Sequence, residues 1–306
     1  MIRPPDPRLV ATLATRLANY EAAHGVLPGV ARPASRDVLL KQLVESVRRV
    51  EYVAVVSARP VSPLRANPTS NLFDPVLAAL VHQSNGDIEE AFWMVFLFTH
   101  FGKHRVKGWG LPRAVYGQLG GGSRWDWPSV SANPTSFATW IAANKSPLRA
   151  AGTFGSHRKY ESLDAPQGLD TGDVVRSYVD WVRSHRTHLD AFNHFLTVSG
   201  GAPHKAFDEA YRSMDAVTRF GRTARFDYLT MVGKLNLAPI SPGHPYLVGA
   251  TGPLSGARLL WGGGVPLRLG KAIVKLDRYL CVGMQPLEDA LCNWQKSPER
   301  FIAFRG

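Results

Sequence analysis

The chain has 306 residues and a formal net charge of +12 at pH 7, with 36 Lys and Arg against 24 Asp and Glu. This length suits one large or two small domains, and the excess of basic residues favours a polyanionic partner. An apolar run of 18 residues is absent from the sequence, so we expect no membrane span, and the Pro-rich N-terminus is not typical of a signal peptide.

Residues 1–70 are predicted to form an accessory helical region, and residues 71–306 the catalytic domain. Apolar residues recur at helical spacing over Asp6–Ala23 and Arg36–Val56, which predicts two amphipathic helices. A Pro-rich connector follows over Ala58–Thr69. No chemistry is expected in this region, which we interpret as a scaffold.

Two apolar helices are predicted over Asp74–His82 and Asp87–His100, separated by the polar break Gln83-Ser84-Asn85. The break is open to two interpretations, a plain helix connector or a turn that reaches a ligand. The second helix is rich in aromatic residues, which we expect in the core rather than stacked on bases: Phe92, Trp93, Phe96 and Phe98.

Residues 105–145 are rich in Gly, Trp and Ser and predict short helices. Aromatic residues interleaved with Arg and Lys can stack on bases, and they can equally anchor loops. Trp109 is one of these aromatic residues, and of the two interpretations we favour the loop anchor. Residues 152–161 then form a basic loop, in which His157, Arg158, Lys159 and Tyr160 suit contacts to phosphates and sugars or form a solvated charged loop.

Three helices are predicted in the next part of the chain, over Val174–His188, Phe207–Ala216 and Ala224–Leu235. Arg222 lies in a cluster of three arginines that precedes and enters the last of them. Asp227 stands in this apolar helix between two aromatic residues. It is interpreted either as a buried acid near a pocket or as an ion-paired helix residue.

The stretch 245–284 organises the C-terminal region. Leu247–Gly252 predicts a Gly-rich hairpin, and Pro253–Trp261 a short helix with Pro at its first position. Gly262–Gly264 end that helix. After a basic loop, Ile273–Met284 begins an apolar element that carries a single acid, Asp277.

The segment Gly252-Pro-Leu-Ser-Gly-Ala-Arg258-Leu-Leu and the later segment Leu276-Asp277-Arg-Tyr-Leu, in which Asp277 lies 25 residues after Gly252, resemble the helix-hairpin-helix DNA glycosylases. The resemblance implies an all-α, glycosylase-like helical domain with extra N-terminal helices and loop insertions. It departs from the family pattern in the spacing of Gly249 and Gly252 and in a longer segment before Asp277, which we place in Gly262–Gly270.

The resemblance also implies site residues. Asp277 takes the place of the catalytic acid, and the hairpin and its helix contribute Gly249, Gly252, Ser255 and Arg258 to DNA binding. Further DNA contacts are expected from Gln83, Asn85, His157, Arg158, Lys159 and Arg222, and the base pocket from Tyr160, Trp109 and Asp227. Bifunctional members carry a Lys in the hairpin, where this chain has Leu254, so a monofunctional enzyme is implied.

The phrases Phe101-Gly-Lys-His and Phe154-Gly-Ser-His-Arg-Lys-Tyr-Glu161, with the Asp277 segment, resemble a narrower group, the α-glutamyl/putrescinyl thymine pyrophosphorylase-like proteins. Bacterial members are associated with attack on phage DNA that carries modified bases. The implied function is excision of a modified base, including glucosylated hydroxymethylcytosine, from double-stranded DNA, which leaves an abasic site in antiviral defence.

Two alternatives stay open, a base-hypermodification enzyme that acts on a pyrophosphorylated hydroxymethyl-pyrimidine and a non-catalytic DNA-binding protein. We expect no cofactor, because no phosphate-binding loop is present, and no metal, because no His or Cys cluster has zinc spacing. The two cysteines, Cys281 and Cys292, suit a reducing compartment. We therefore expect a cytoplasmic monomer with no membrane contact.

Overall fold

The protein is all-α in the computed structural model, which describes residues 4–155, Arg158 and residues 161–303. These ranges contain no β-strand, only an isolated bridge between His104 and Gly108. The predicted all-α class is confirmed. The α-helices of the described chain are α1 (Pro7–His24), α2 (Pro33–Ser57), α3 (Pro75–Ser84), α4 (Ile88–Phe101), α5 (Gly110–Tyr116), α6 (Trp127–Ala132), α7 (Pro134–Ala143), α8 (Lys145–Ala151), α9 (Thr171–Arg183), α10 (His188–Val198), α11 (Pro203–Ser213), α12 (Arg222–Lys234), α13 (Gly252–Trp261), α14 (Pro266–Leu280) and α15 (Met284–Trp294).

The helix starts follow from local chemistry. Proline opens several helices, where its missing N–H is not needed and its fixed φ angle suits the helix. At α3, the Asp74 side chain also accepts hydrogen bonds from the backbone N–H groups of Val76 and Leu77 at 3.0 and 3.3 Å. Such a carboxylate satisfies donors that otherwise lack an intrahelical partner.

One predicted helix is wrong at its C-terminal end. Helix α9 ends at Arg183, and His188 begins α10 instead of ending the same helix. The chain turns between them through Arg186, whose φ is +79°. The Thr187 side chain then accepts the backbone N–H of Asp190 at 3.0 Å and caps α10.

The contacts divide the chain into two compact units. The first combines the chain up to Val55 with the part from Pro242 onward, and the second is Val56–Ser241. The N-terminal helices therefore share a unit with α13, α14 and α15. The assignment of accessory and catalytic roles to residues 1–70 and 71–306 stays a prediction, because compactness does not show which part performs chemistry.

The first unit has an apolar core formed by aliphatic residues from both ends of the chain. Leu17 of α1, Ile273 of α14 and Leu291 of α15 are fully buried in it, as is Trp294. Helix α13 packs closely on α15, since a Cβ added to Gly256 would lie 2.2 Å from the Leu291 carbonyl oxygen. Glycine is therefore required at this contact.

The second unit is built around α4, which is apolar on almost every face. Phe92, Trp93 and Phe96 are 0 % exposed, which confirms that they belong to the core, and Phe98 is partly buried. A helix that is apolar all round must be enclosed by other elements. Helices α3, α5, α6, α10 and α12 surround it.

Candidate active site

A turn of three glycines joins α13 to α14. Gly262, Gly263 and Gly264 have φ angles of +72°, +125° and +129°, which glycine adopts without the steric penalty of a Cβ. Helix α14 then begins at Pro266. The prediction of a basic loop before Ile273 is wrong, because the basic residues of this segment lie on the first turns of α14.

The predicted hairpin over Leu247–Gly252 is also wrong. The segment is a single turn, closed by a hydrogen bond from the Ala250 N–H to the Leu247 carbonyl at 3.1 Å. Gly249 has a φ of +77° in this turn. Gly252 is the first residue of α13, where an added Cβ would lie 2.5 Å from Cys292 Sγ.

Asp277 lies in the last turn of α14 and faces the start of α15. Its Oδ1 accepts the backbone N–H groups of Val282 and Gly283, both at 2.9 Å. The intervening Cys281 adopts the left-handed conformation, with a φ of +53°. The half-buried carboxylate is therefore held in one orientation by the turn that it closes, and the chain continues into α15 after that turn.

Of the DNA-binding residues predicted on α13, Ser255 and Arg258 are exposed. Arg258 Nε donates to the Gly264 carbonyl at 3.2 Å and so braces the glycine turn. Gly249 and Gly252 have the structural roles given above. A role in DNA binding stays a prediction for all four residues.

In the second unit, the fold brings together the two phrases that carry the narrower resemblance. A Cβ added to Gly155 would lie 2.7 Å from the Gly102 carbonyl carbon. The Gly155 N–H donates to the Phe101 carbonyl at 2.8 Å. The backbone after α4 and the loop that carries Arg158 therefore touch at two glycines.

Arg158 is buried beneath this contact and pairs with Asp227. Its Nη2 donates to Asp227 Oδ2 at 3.2 Å, and its Nε donates to the Thr99 carbonyl. Burial lowers the pKa of Arg158, and the carboxylates of Asp227 and Glu161 oppose that shift. Of the two interpretations of Asp227, the ion-paired helix residue is the one observed, and a base-pocket role stays a prediction.

A second ion pair and a histidine complete this centre. Arg219, in the left-handed region with a φ of +57°, donates from Nε to Glu161 Oε2 at 2.8 Å. His100 is buried, and burial lowers its pKa to about 3, with Arg158 and Arg219 adding to the effect. His100 is therefore neutral near pH 7. Sequence reasoning missed Arg219, Glu161 and His100 as a group, although the two phrases contain Glu161 and adjoin His100.

A cleft of about 350 Å³ borders this centre. That volume lies within the range of small-molecule sites. Glu161 belongs both to the cleft and to the ion pair with Arg219. The described residues that line the cleft are Leu111, Arg149, Gly152, Thr153, Phe154, Glu161, Ser162, Leu163 and Asp164.

A second cleft, of about 410 Å³, contains the buried carboxyl of Glu90. The Tyr116 hydroxyl donates to its Oε1 at 2.8 Å, and the Trp127 backbone N–H donates to its Oε2 at 2.6 Å. Burial raises the pKa of Glu90 to about 7. The sequence signal for it is an acid inside an apolar helix.

The remaining predicted residues of the second unit are not gathered at one described point. Trp109 donates from Nε1 to Asp74 Oδ2 at 2.9 Å, as a loop anchor does. The guanidinium of Arg222, at the start of α12, lies 4.5 Å from the Phe226 ring centroid.

Gln83 donates from Nε2 to the Asn236 carbonyl at 3.4 Å, and Asn85 caps the C-terminus of α3. Contacts of these residues with DNA or a base stay predictions. Three predicted residues, His157, Lys159 and Tyr160, lie outside the described residues.

The model of a protein family described as alpha-glutamyl/putrescinyl thymine pyrophosphorylase clade 3 matches residues 34–306. The chain belongs to this family. The family is named for an enzyme connected with thymine modification, and the match includes Arg158, Asp227 and Asp277. The predicted relation to the helix-hairpin-helix glycosylases stays a prediction. Searches of curated proteins and of solved structures gave no match.

Two features are absent from the part of the clade 3 chain that the structure describes. None of its helices has both the length and the hydropathy that crossing a membrane requires. Within the same ranges, no three His, Cys, Asp or Glu side chains are grouped so that they could hold a metal ion.

Proposed function

We propose that the protein is a monofunctional DNA glycosylase that excises a modified pyrimidine base from phage DNA in antiviral defence. The observation that carries the proposal is the half-buried Asp277 carboxylate, whose Oδ1 accepts two backbone N–H groups. The match to a family named for thymine modification, over residues 34–306, supports a modified pyrimidine as the target. The net charge of +12 supports a nucleic-acid partner. Glucosylated hydroxymethylcytosine is the substrate that the resemblance implies.

The chemistry requires extrusion of the target nucleotide, because an enzyme cannot reach a stacked base. Breaking the N-glycosidic bond develops positive charge on the deoxyribose. A fixed carboxylate beside C1′ stabilises that charge and can orient or deprotonate the attacking water. Water then adds at C1′, and the base leaves with its bonding electron pair.

We assign the carboxylate role to Asp277. The two N–H groups that bind Oδ1 hold the side chain in place, and no cation among the described residues forms an ion pair that would neutralise it. Preorganisation of this kind supplies electrostatic stabilisation without reorganisation during the reaction. Asp227, by contrast, has the buried Arg158 as its partner and is proposed to support the pocket.

The alternative is a base-hypermodification enzyme, which the words of the family description favour. It would act on a pyrophosphorylated hydroxymethyl-pyrimidine, where the nitrogen of an incoming amine or glutamate bonds to the hydroxymethyl carbon and pyrophosphate leaves. In that reaction the glycosidic bond stays intact, so the two functions differ in what leaves the DNA.

Mass spectrometry of a panel of modified phage DNAs incubated with the full chain separates the two functions. The glycosylase releases the free modified base and leaves an abasic site of equal amount. If the base stays in the polymer with an altered mass, the protein is a modification enzyme. If the protein binds the DNA and changes nothing, it is a binding protein.

A further inference from the structure

Helix α14 presents an exposed basic face. Arg268, Lys271, Lys275 and Arg278 are all exposed, and their spacing of three, four and three residues places them within an arc of about 80° on an α-helix. The buried residues Leu269, Ile273, Leu276 and Leu280 occupy the opposite side. The four cations span about 15 Å along the helix axis.

The four cations of this basic face are not neutralised by acidic side chains within the described structure. None of them has an ion pair with a described residue, whereas four of the other eight described arginines of the same unit do, namely Arg32, Arg36, Arg48 and Arg49. Lys271 and Lys275 are also four residues apart, a like-charge arrangement that weakens a helix slightly. The face is therefore not explained by the stability of α14, and it suits an external anion.

Two apolar side chains project at the N-terminal end of the same helix. Val265 and Leu267 are 62 % and 73 % exposed, and they follow directly after the exposed turn Gly262–Gly264. At about 100° per residue, Leu267 lies beside the edge of the basic face. Asp277 lies about 140° from the centre of that face, so its carboxylate does not repel phosphates bound there, and in the proposed reaction only a nucleotide extruded from the strand reaches it.

We propose that α14 lies along a DNA strand, with its basic face on the phosphates and Val265 and Leu267 against the sugars in the minor groove. This inference rests on the proposed function for its partner and adds the surface that binds it. Basic side chains on phosphates give binding without sequence preference. Exposed apolar residues commonly complete such contacts in the minor groove.

An anionic membrane fits the helix less well. A helix that lies on a membrane presents a broad apolar face to the lipid. The apolar face of α14 is already buried in the unit core, which leaves only the two residues at its start. An acidic protein surface is the other competitor, and the regular row of cations along one helix favours the evenly charged backbone of DNA.

The test measures the affinity of the full chain for a short unmodified duplex as a function of salt. The first variant carries Arg268→Gln, Lys271→Gln, Lys275→Gln and Arg278→Gln. A control with the same charge change carries Gln at four exposed cations elsewhere, Arg8, Arg59, Lys205 and Arg300. Each phosphate contact contributes roughly 0.9 to the slope of log affinity against log salt concentration. The slope of the first variant should therefore be smaller than that of the wild type by about 3 to 4, and the slope of the control should change little.

A second variant tests the apolar pair separately. Val265 stands at the N-cap of α14, so Val265→Ser suits the helix start, and it is combined with Leu267→Ser. We expect an affinity loss of about 10-fold with the salt slope unchanged, since no phosphate contact is removed. Val26→Ser, at a residue of the same unit that is 70 % exposed, is the matched control and should bind normally.

The inference is overturned if the four-site variant keeps the wild-type slope, or if the control loses as much slope. It is also overturned if vesicles of anionic lipid or an acidic protein bind α14 and the duplex does not. If variants of α14 bind DNA normally while the wild type releases base, the proposed binding surface is wrong and the proposed glycosylase function is supported. If the wild type binds through α14 and releases no base from any DNA, the surface stands and the proposed function fails.

Discussion

Arg158 and Asp227 form an ion pair in which the two partners differ in exposure, 9 % for the arginine side chain and 36 % for the aspartate. The buried guanidinium depends on the carboxylate, while the carboxylate still reaches solvent. Removal of Asp227 therefore leaves a buried charge with one partner fewer. Such a loss destabilises a protein more than the pair itself stabilises it.

We expect Asp227→Asn to lower the free energy of unfolding by about 1 to 3 kcal/mol, less than the roughly 3 to 5 kcal/mol of a fully buried pair, because Asp227 is partly hydrated. Chemical denaturation of the full chain measures this value. Asp180→Asn, in an exposed pair with Arg183, is the control and should change stability by less than about 0.5 kcal/mol. Equal effects of the two substitutions would show that Arg158 does not depend on Asp227.

Two glycines of the first unit, Gly256 and Gly270, differ in the space around them and give a second stability prediction. Gly256→Ala places a methyl group 2.2 Å from the Leu291 carbonyl oxygen, so α13 must move away from α15. This movement should lower the free energy of unfolding by about 1 to 3 kcal/mol. Gly270→Ala meets nothing within 4 Å inside α14 and should stabilise the helix by about 0.5 to 1 kcal/mol. Thermal unfolding of the two variants should shift in opposite directions, and a shift in the same direction would contradict the observed packing.

Glu90 predicts a pH dependence of stability. Burial raises its pKa from 4.5 to about 7 in the folded protein, so the unfolded chain releases this proton at a lower pH. The contribution of the neutral Glu90 carboxyl to the free energy of unfolding is therefore fully present below about pH 4.5, and it is lost as the pH rises through about 7. The loss amounts to up to about 3 kcal/mol at 1.36 kcal/mol per pKa unit.

The measurement for Glu90 is the unfolding free energy of the wild type and of Glu90→Gln at several pH values. A glutamine can accept the Trp127 N–H and donate to the Tyr116 hydroxyl, so the variant should fold. We expect the wild type to lose stability relative to the variant between pH 4.5 and pH 7. Parallel curves over that interval would show that Glu90 titrates normally.

Borohydride trapping tests the monofunctional mechanism. The amines closest in sequence to Asp277 are Lys275 and Lys271, and at about 100° per residue both lie roughly 120° to 160° around α14 from it. Neither amine shares the face of the proposed catalytic carboxylate, and the predicted relation to the helix-hairpin-helix glycosylases places Leu254 where bifunctional members carry a Lys. We expect no covalent adduct with DNA on borohydride treatment. A trapped complex that Lys271→Gln or Lys275→Gln abolishes would contradict the assignment.

The long helices and the aromatic core could be predicted from the sequence, because apolar spacing is a local signal. Phe92, Trp93 and Phe96 lie in an apolar run of helical length, and their burial follows from it. The contact of Gly102 with Gly155 could not be predicted, because it joins residues that are distant in the chain. Both glycines are visible in the sequence, but the sequence does not identify the distant backbone segment that packs against each of them.

The C-terminal segment shows where a local reading fails. We assigned the hairpin to Gly249 and Gly252, although only one of them has a positive φ, and the turn between two helices is Gly262–Gly264. Pro266 was the available signal for the start of α14. The prediction puts Arg268 and Lys271 in a loop and Lys275 and Arg278 in the element after it, so the alignment of the four cations along one side of a single helix does not follow from it.

The most direct test of the proposed function is single-turnover base release by Asp277→Asn on the modified DNA that the wild type cleaves. Asparagine keeps the amide oxygen as an acceptor for the N–H groups of Val282 and Gly283, so folding and DNA affinity should persist. Loss of a preorganised electrostatic contact should slow base release by about 10²- to 10³-fold. Release at the wild-type rate by a folded, DNA-bound Asp277→Asn would show that Asp277 is not the catalytic carboxylate.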